Sequence, residues 1–158
     1  MASERTAAPA SLADSRVLVR ARWLATVVVL FGVVTIIAGG AVLSGQVDGG
    51  KVVPFVLWFN FLAGFFYVAA GVAIARLSRW APRLAGLLAG ATTALAVAFA
   101  AHVARGGAFE PRTALALAVR AGAWAVIAYA SARLVAAGRA SAERRLGKRV
   151  AGGQARPR

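Results

Sequence analysis

Four long apolar runs constrain this chain more than any other feature, covering about residues 23–44, 52–77, 84–104 and 113–137. At a rise of about 1.5 Å per residue each run makes a helix of about 30 Å or more, the thickness of a bilayer's hydrocarbon core. Inside hydrocarbon every backbone N–H and C=O must bond within the protein, and a helix achieves this with no partner segment. The composition agrees: 60% of the 158 residues are hydrophobic and the mean hydropathy is +0.71, too apolar for a soluble domain of this length. The expected fold is all-α, a four-helix transmembrane bundle running up-down-up-down.

Polar punctuation separates the runs: GQVDGG precedes the second, Ser78 to Pro82 the third and RGGAFEP the fourth. Pro54, Pro82 and Pro111 fall near helix starts, where a missing amide hydrogen costs least. Residues 1–15 are small and polar with no repeating apolar face, and are expected to form a disordered tail. The membrane domain then occupies residues 16–138, followed by a basic tail over 139–158 that extends the fourth helix and loses order at AGGQARPR. The first run follows Arg16, Arg20 and Arg22 as a signal peptide would, but it exceeds an h-region of about 7–15 residues and reads as an uncleaved helix.

Basic residues set the orientation. Arg5, Arg16, Arg20 and Arg22 precede the first run; Arg76, Arg79 and Arg83 surround the second connection; Arg133, Arg139, Arg144, Arg145, Lys148, Arg149, Arg156 and Arg158 follow the fourth. The other two connections hold Lys51, Arg105 and Arg112, offset by Asp48 and Glu110. The positive-inside rule places both termini and the middle connection in the cytoplasm, the expected setting being a cell inner membrane. Trp23 and Trp80, each beside an arginine, fit the cytoplasmic interfacial belt. A net charge of +14 would suggest nucleic acid in a soluble protein; here topology accounts for it, and no nucleic-acid partner is implied. The basic tail reads either as an orientation anchor or as a docking element for anionic lipid.

Chemistry is bounded by what the chain lacks. It has no cysteine, which excludes disulfides, thiolate metal sites and CxxC redox chemistry. One methionine, Met1, and one histidine, His102, are too few for a copper or haem site within one chain, so no metal, cofactor or catalytic group is expected. No Asp or Glu lies within any run, so a carboxylate proton relay is unavailable.

The polar residues inside the runs gather at one depth. Arg120 lies about 10 Å along the fourth helix from its start, where an unpaired charge costs about 2 kcal/mol or more. Asn60 in the second helix and Thr35 in the first fall near the same level, with His102 closer to the surface at the end of the third. Four faces read as contact faces: Asn60, Gly64, Tyr67 and Gly71; Gly86, Gly90, Ala94, Ala98 and His102; Gly32, Thr35 and Gly39; and Arg120, Trp124, Ile127 and Ser131. Small residues at such spacing let membrane helices approach, and buried polar groups then find partners across helices. Two readings stay open. In one, Arg120 snorkels to the interface and Asn60 bridges two helices. In the other, Arg120 partners an anionic, quinone-like or lipid head group, with Asn60 and Thr35 as hydrogen-bonding groups, Trp58, Trp124 and Tyr67 as apolar walls, and His102 at the rim.

TIIAGG (Thr35 to Gly40), VPFVLWFNFLAGFFYVAAG (Val53 to Gly71) and FEPRTALALAVRAGAW (Phe109 to Trp124) resemble segments of uncharacterised small four-span bacterial inner-membrane proteins. In size and span count the chain is also loosely similar to the DoxX type. The resemblance covers the helices but neither tail, and implies the bundle and no reaction. Small multidrug exporters carry a membrane glutamate in their first helix, which this chain lacks. Fluoride channels carry an Asn-x-x-Gly-x-Phe helix, and Asn60 to Gly64 is one residue longer.

Three roles fit these observations. The first is a non-enzymatic accessory or assembly subunit, working as a homo-oligomer or within a larger membrane complex. The second is an oligomeric small-anion transporter or channel built on Arg120. The third is a quinone-binding subunit of a redox complex, with His102 or Tyr67 as hydrogen-bond partner.

Overall fold

The computed structural model describes residues 8–48, 50 and 52–154, with side chains from Ser15 to Gly147 other than Lys51. Four helices follow in order: α1 (Ala8–Leu43), α2 (Pro54–Ala75), α3 (Ala81–Ala104) and α4 (Pro111–Gln154). No strand occurs among the described residues, and all four helices are long and apolar enough to cross a membrane. Their outward faces are apolar: Leu87 is 71% exposed, Leu115 68%, and Val97 and Ile37 66% each, a surface that needs lipid rather than water.

Helices α2 and α3, with 22 and 24 residues, are about 33 and 36 Å long and match one bilayer crossing. With 36 and 44 residues, α1 and α4 reach about 54 and 66 Å and overshoot at the end that carries the two termini. This changes two expectations. Residues 8–15, expected to be disordered, are the first turns of α1. Residues 151–154, where order was expected to fail, remain in α4. Both stretches continue a helix that has already met the cost of nucleation, so adding residues costs little. The expectations for residues 1–7 and 155–158 lie outside the described residues.

Proline enters α2 and α3 within their first two positions. Gly106, at φ 80°, follows the end of α3 and turns the chain toward α4, a left-handed conformation that costs glycine little. Leu77 ends α2 with φ 48°, where glycine is usual. Its side chain reaches α4, so that a Cβ added at Gly138 would stand 3.1 Å from Leu77 Cδ1.

Helices α1 and α2 approach closely through glycine. A Cβ at Gly32 would lie 2.9 Å from the Gly64 carbonyl oxygen and from the Val68 nitrogen. At Gly71 it would meet the Ala25 carbonyl oxygen at 3.0 Å, and at Gly39 it would meet Phe61 Cβ at 3.1 Å. Rising numbers on α1 pair with falling numbers on α2, so the two run antiparallel. Helix α3 packs closely on α4, whereas contacts between the α1/α2 pair and the α3/α4 pair are sparser. The bundle is thus two tight hairpins meeting along a looser seam.

The contact faces expected on α1, α2 and α4 turn inward, with Asn60, Arg120 and Ile127 half-buried and the rest buried, but the one expected on α3 does not. Gly86, Gly90, Ala94 and Ala98 are exposed, and a Cβ at Gly86 or Gly90 would meet nothing within 4 Å. The buried stripe of α3 is Ala81, Ala85, Leu88, Thr92, Leu95 and Phe99, on the opposite side of the helix. Leu88, Leu95 and Phe99 fill the wide space at the seam, which glycine and alanine could not.

Candidate functional site

The seam carries the polar chemistry. Arg120 of α4 donates from Nη1 to Asn60 Oδ1 of α2, joining the two hairpins through a charge-assisted hydrogen bond. The guanidinium also lies over Phe31 of α1, with Cζ 5.5 Å from the ring centroid. A neutral amide and an aromatic face hold this cation, while Arg120 Nε is buried with no partner. The spans supply no carboxylate to neutralise it.

Arg120 and Asn60 line the inner part of a cavity of about 470 Å³. Its walls are Val53, Val56, Leu57, Ala116 and Leu117, and its mouth, between the α1–α2 and α3–α4 connections, carries Asp48, Glu110 and Arg112. Local folding fixes that mouth: the Gly50 amide donates to Asp48 Oδ1 at 2.9 Å, and the Thr113 amide to the Glu110 carbonyl at 2.9 Å. The amino ends of α2 and α4 both lie at this mouth, so the positive ends of their helix dipoles favour an approaching anion.

Beyond Arg120 the bundle closes. Tyr67 and Trp124 are 0% exposed, with ring centroids 4.6 Å apart, and Phe31 stacks on Tyr67 at 5.5 Å. Ala63, Ala70, Ile74, Ala81, Ala85 and Leu88 complete this core. The cavity is therefore open at one end of the bundle and blocked toward the other within a single chain.

The expected site residues divide. Arg120 and Asn60 meet, with Tyr67 and Trp124 just below them. Thr35 is buried, but its hydroxyl donates to the Phe31 carbonyl at 2.7 Å and so bonds its own helix. Trp58 is 53% exposed and meets Phe61 edge-on at 6.3 Å, on the outward face. His102 packs in the α3–α4 connection, its Nε2 3.4 Å from the Ala108 carbonyl oxygen and its ring edge-on to Phe55. Sequence reasoning passed over Phe31, Thr92 and the mouth residues. Phe31 sits one turn before Thr35 on the same side of α1, and Thr92 is the polar member of the Leu88-to-Leu95 stripe.

In comparisons with known proteins no family model, curated protein or solved structure matches this chain. Fold and site alone therefore define its class: a small all-helical protein with four helices able to span a membrane. Within that class its particular mark is an arginine held at the seam of two hairpins, at the bottom of a cavity open at one end.

Proposed function

We propose that this is a multi-pass inner-membrane protein, with both termini and the α2–α3 connection in the cytoplasm. In this reading it holds a small anionic group at Arg120 and serves as a non-enzymatic accessory or assembly subunit. One observation carries the reading: Arg120 has a neutral amide as its fixed partner at the inner end of the cavity, while the carboxylates that line it, Asp48 and Glu110, lie at the mouth beside Arg112. A cation in so apolar a setting is stabilised by an anion that enters beside it. The basic residues at the opposite end support the orientation, which makes the cavity open outward. The closed core beneath it supports holding rather than conduction by one chain. Arginines at the cytoplasmic level of the bilayer, such as Arg76 and Arg79, are suited to anionic lipid.

The test is thermal unfolding of the full chain in non-ionic detergent with sodium nitrate, sodium perchlorate or sodium fluoride at equal ionic strength. Anion held at Arg120 stabilises the protein by about 2.7 kcal/mol at a hundred times its Kd. That gain is expected to disappear in Arg120→Gln. A stabilisation equal in wild type and Arg120→Gln would remove the basis of the site. Recovery of a lone monomer in mild detergent, with no partner cross-linked in native membranes, would oppose the subunit role.

A further inference from the structure

The Arg120 cavity is charged at both ends, with opposite signs. The guanidinium stands at the inner end, and Asp48, Glu110 and Arg112 stand at the mouth. Among these described side chains two acids balance two bases, so the lining has no net charge but is positive at depth and negative at the mouth. Asp48 Oδ1 accepts from the Gly50 amide, whereas the half-buried Glu110 carboxylate has no hydrogen bond. Neither acid forms an ion pair with a described residue.

A simple anion answers only half of this arrangement. Arg120 attracts it, but the carboxylates it passes on entering repel it and stay unpaired. A molecule with a cation at its other end offsets both. Between the two charged ends the walls are apolar, with Val53 and Val56 4% exposed and Leu117 2%. By helical rise, Arg120 on α4 and Asn60 on α2 meet about 9–14 Å below the first residues of those helices, Pro111 and Pro54. An ion contact of about 2.8 Å at each end leaves roughly 3–8 Å between the guest's own two charges.

We infer that the cavity takes a small zwitterion, with a carboxylate on Arg120, an ammonium at Glu110 and Asp48, and a short aliphatic spacer against Val53, Val56 and Leu117. At about 470 Å³ the cavity suits a free molecule of this size and is too small for a diacyl lipid. The inference rests on the anion site proposed at Arg120, and names the class of molecule whose anionic end that site holds.

The probes are γ-aminobutyrate, butyrate and butylammonium, each titrated against thermal unfolding of the full chain in non-ionic detergent at constant ionic strength. γ-Aminobutyrate is expected to bind about fivefold more tightly than butyrate, the gain of one half-buried ion pair, and butylammonium to give no saturable shift. Glu110→Gln should weaken γ-aminobutyrate and strengthen butyrate, bringing their affinities to about the same value. Loss of packing would move both in one direction, so the opposite signs mark a charge contact. Asp48→Asn, which keeps an acceptor for the Gly50 amide, should act in the same sense and more weakly. Arg120→Gln should abolish binding of both. γ-Aminobutyrate binding no tighter than butyrate, with Arg120-dependent stabilisation by butyrate and perchlorate intact, overturns the zwitterion and leaves the anion site standing. Binding of γ-aminobutyrate that survives Arg120→Gln overturns the inference, as does stabilisation by phosphatidylethanolamine in the micelle without any by the free zwitterion. Absence of Arg120-dependent stabilisation by every probe, perchlorate included, removes both readings.

Discussion

Adding one methyl group separates the close α1–α2 contact from the open face of α3, with opposite signs. In Gly32→Ala the new Cβ would stand 2.9 Å from the Gly64 carbonyl oxygen and 2.9 Å from the Val68 nitrogen. Both are backbone atoms, so no rotamer change relieves them and the two helices must separate. Overpacking of this kind costs about 1–3 kcal/mol. Replacing a helical glycine by alanine returns about 1 kcal/mol through propensity, leaving a net loss of up to about 2 kcal/mol at Gly32. At Gly90 a Cβ meets nothing within 4 Å, so the same change should stabilise by about 0.5–1 kcal/mol. The assay is reversible unfolding of each variant in mixed detergent micelles, followed by helicity. Equal effects at the two positions would refute the packing argument. Destabilisation at Gly90 alone would show that the open α3 face contacts another protein surface.

Asn60→Asp should place a carboxylate beside Arg120, preserve the link between α2 and α4, and abolish stabilisation by perchlorate, checked by thermal unfolding with and without the salt. Asn60→Leu should remove the guanidinium's fixed acceptor and cost about 1–3 kcal/mol in the same assay. Trp124→Ala empties a site that is 0% exposed and should cost about 3 kcal/mol, whereas Trp58→Ala, at a side chain 53% exposed, should cost under about 1 kcal/mol. Similar losses at the two tryptophans would contradict their assignment to core and periphery.

Much of this arrangement was legible in the residues. Apolar run length and proline placement located the four helices, with α2 and α3 ending close to the expected limits. Depth counting along antiparallel helices brought Asn60 and Arg120 together, because axial level depends only on residue rise. Rotation about each axis was harder to read. On α3 the small-residue stripe looked like a contact face, but the seam is wide there and takes Leu88, Leu95 and Phe99, turning Gly86 and Gly90 outward. Thr35 illustrates a second limit: a helical threonine can satisfy itself on the carbonyl four residues earlier, so depth alone does not make it a ligand. The mouth residues Asp48, Glu110 and Arg112 meet through connections whose course no periodicity encodes. The basic extension of α4 was expected, but the helical residues 8–15 and 151–154 were missed because small polar composition was read as disorder.

Water access along α4 tests the central claim most directly. The chain contains no cysteine, so single cysteines at Thr113, Ala116 and Arg120, which line the cavity, can be compared with ones at Leu115 and Val119, which face outward. In membranes, a charged methanethiosulfonate reagent is expected to label positions 113, 116 and 120 and to spare 115 and 119, with nitrate or perchlorate slowing reaction at 116. Labelling at 115 and 119 with none at 116 and 120 would turn Arg120 toward lipid and contradict the site.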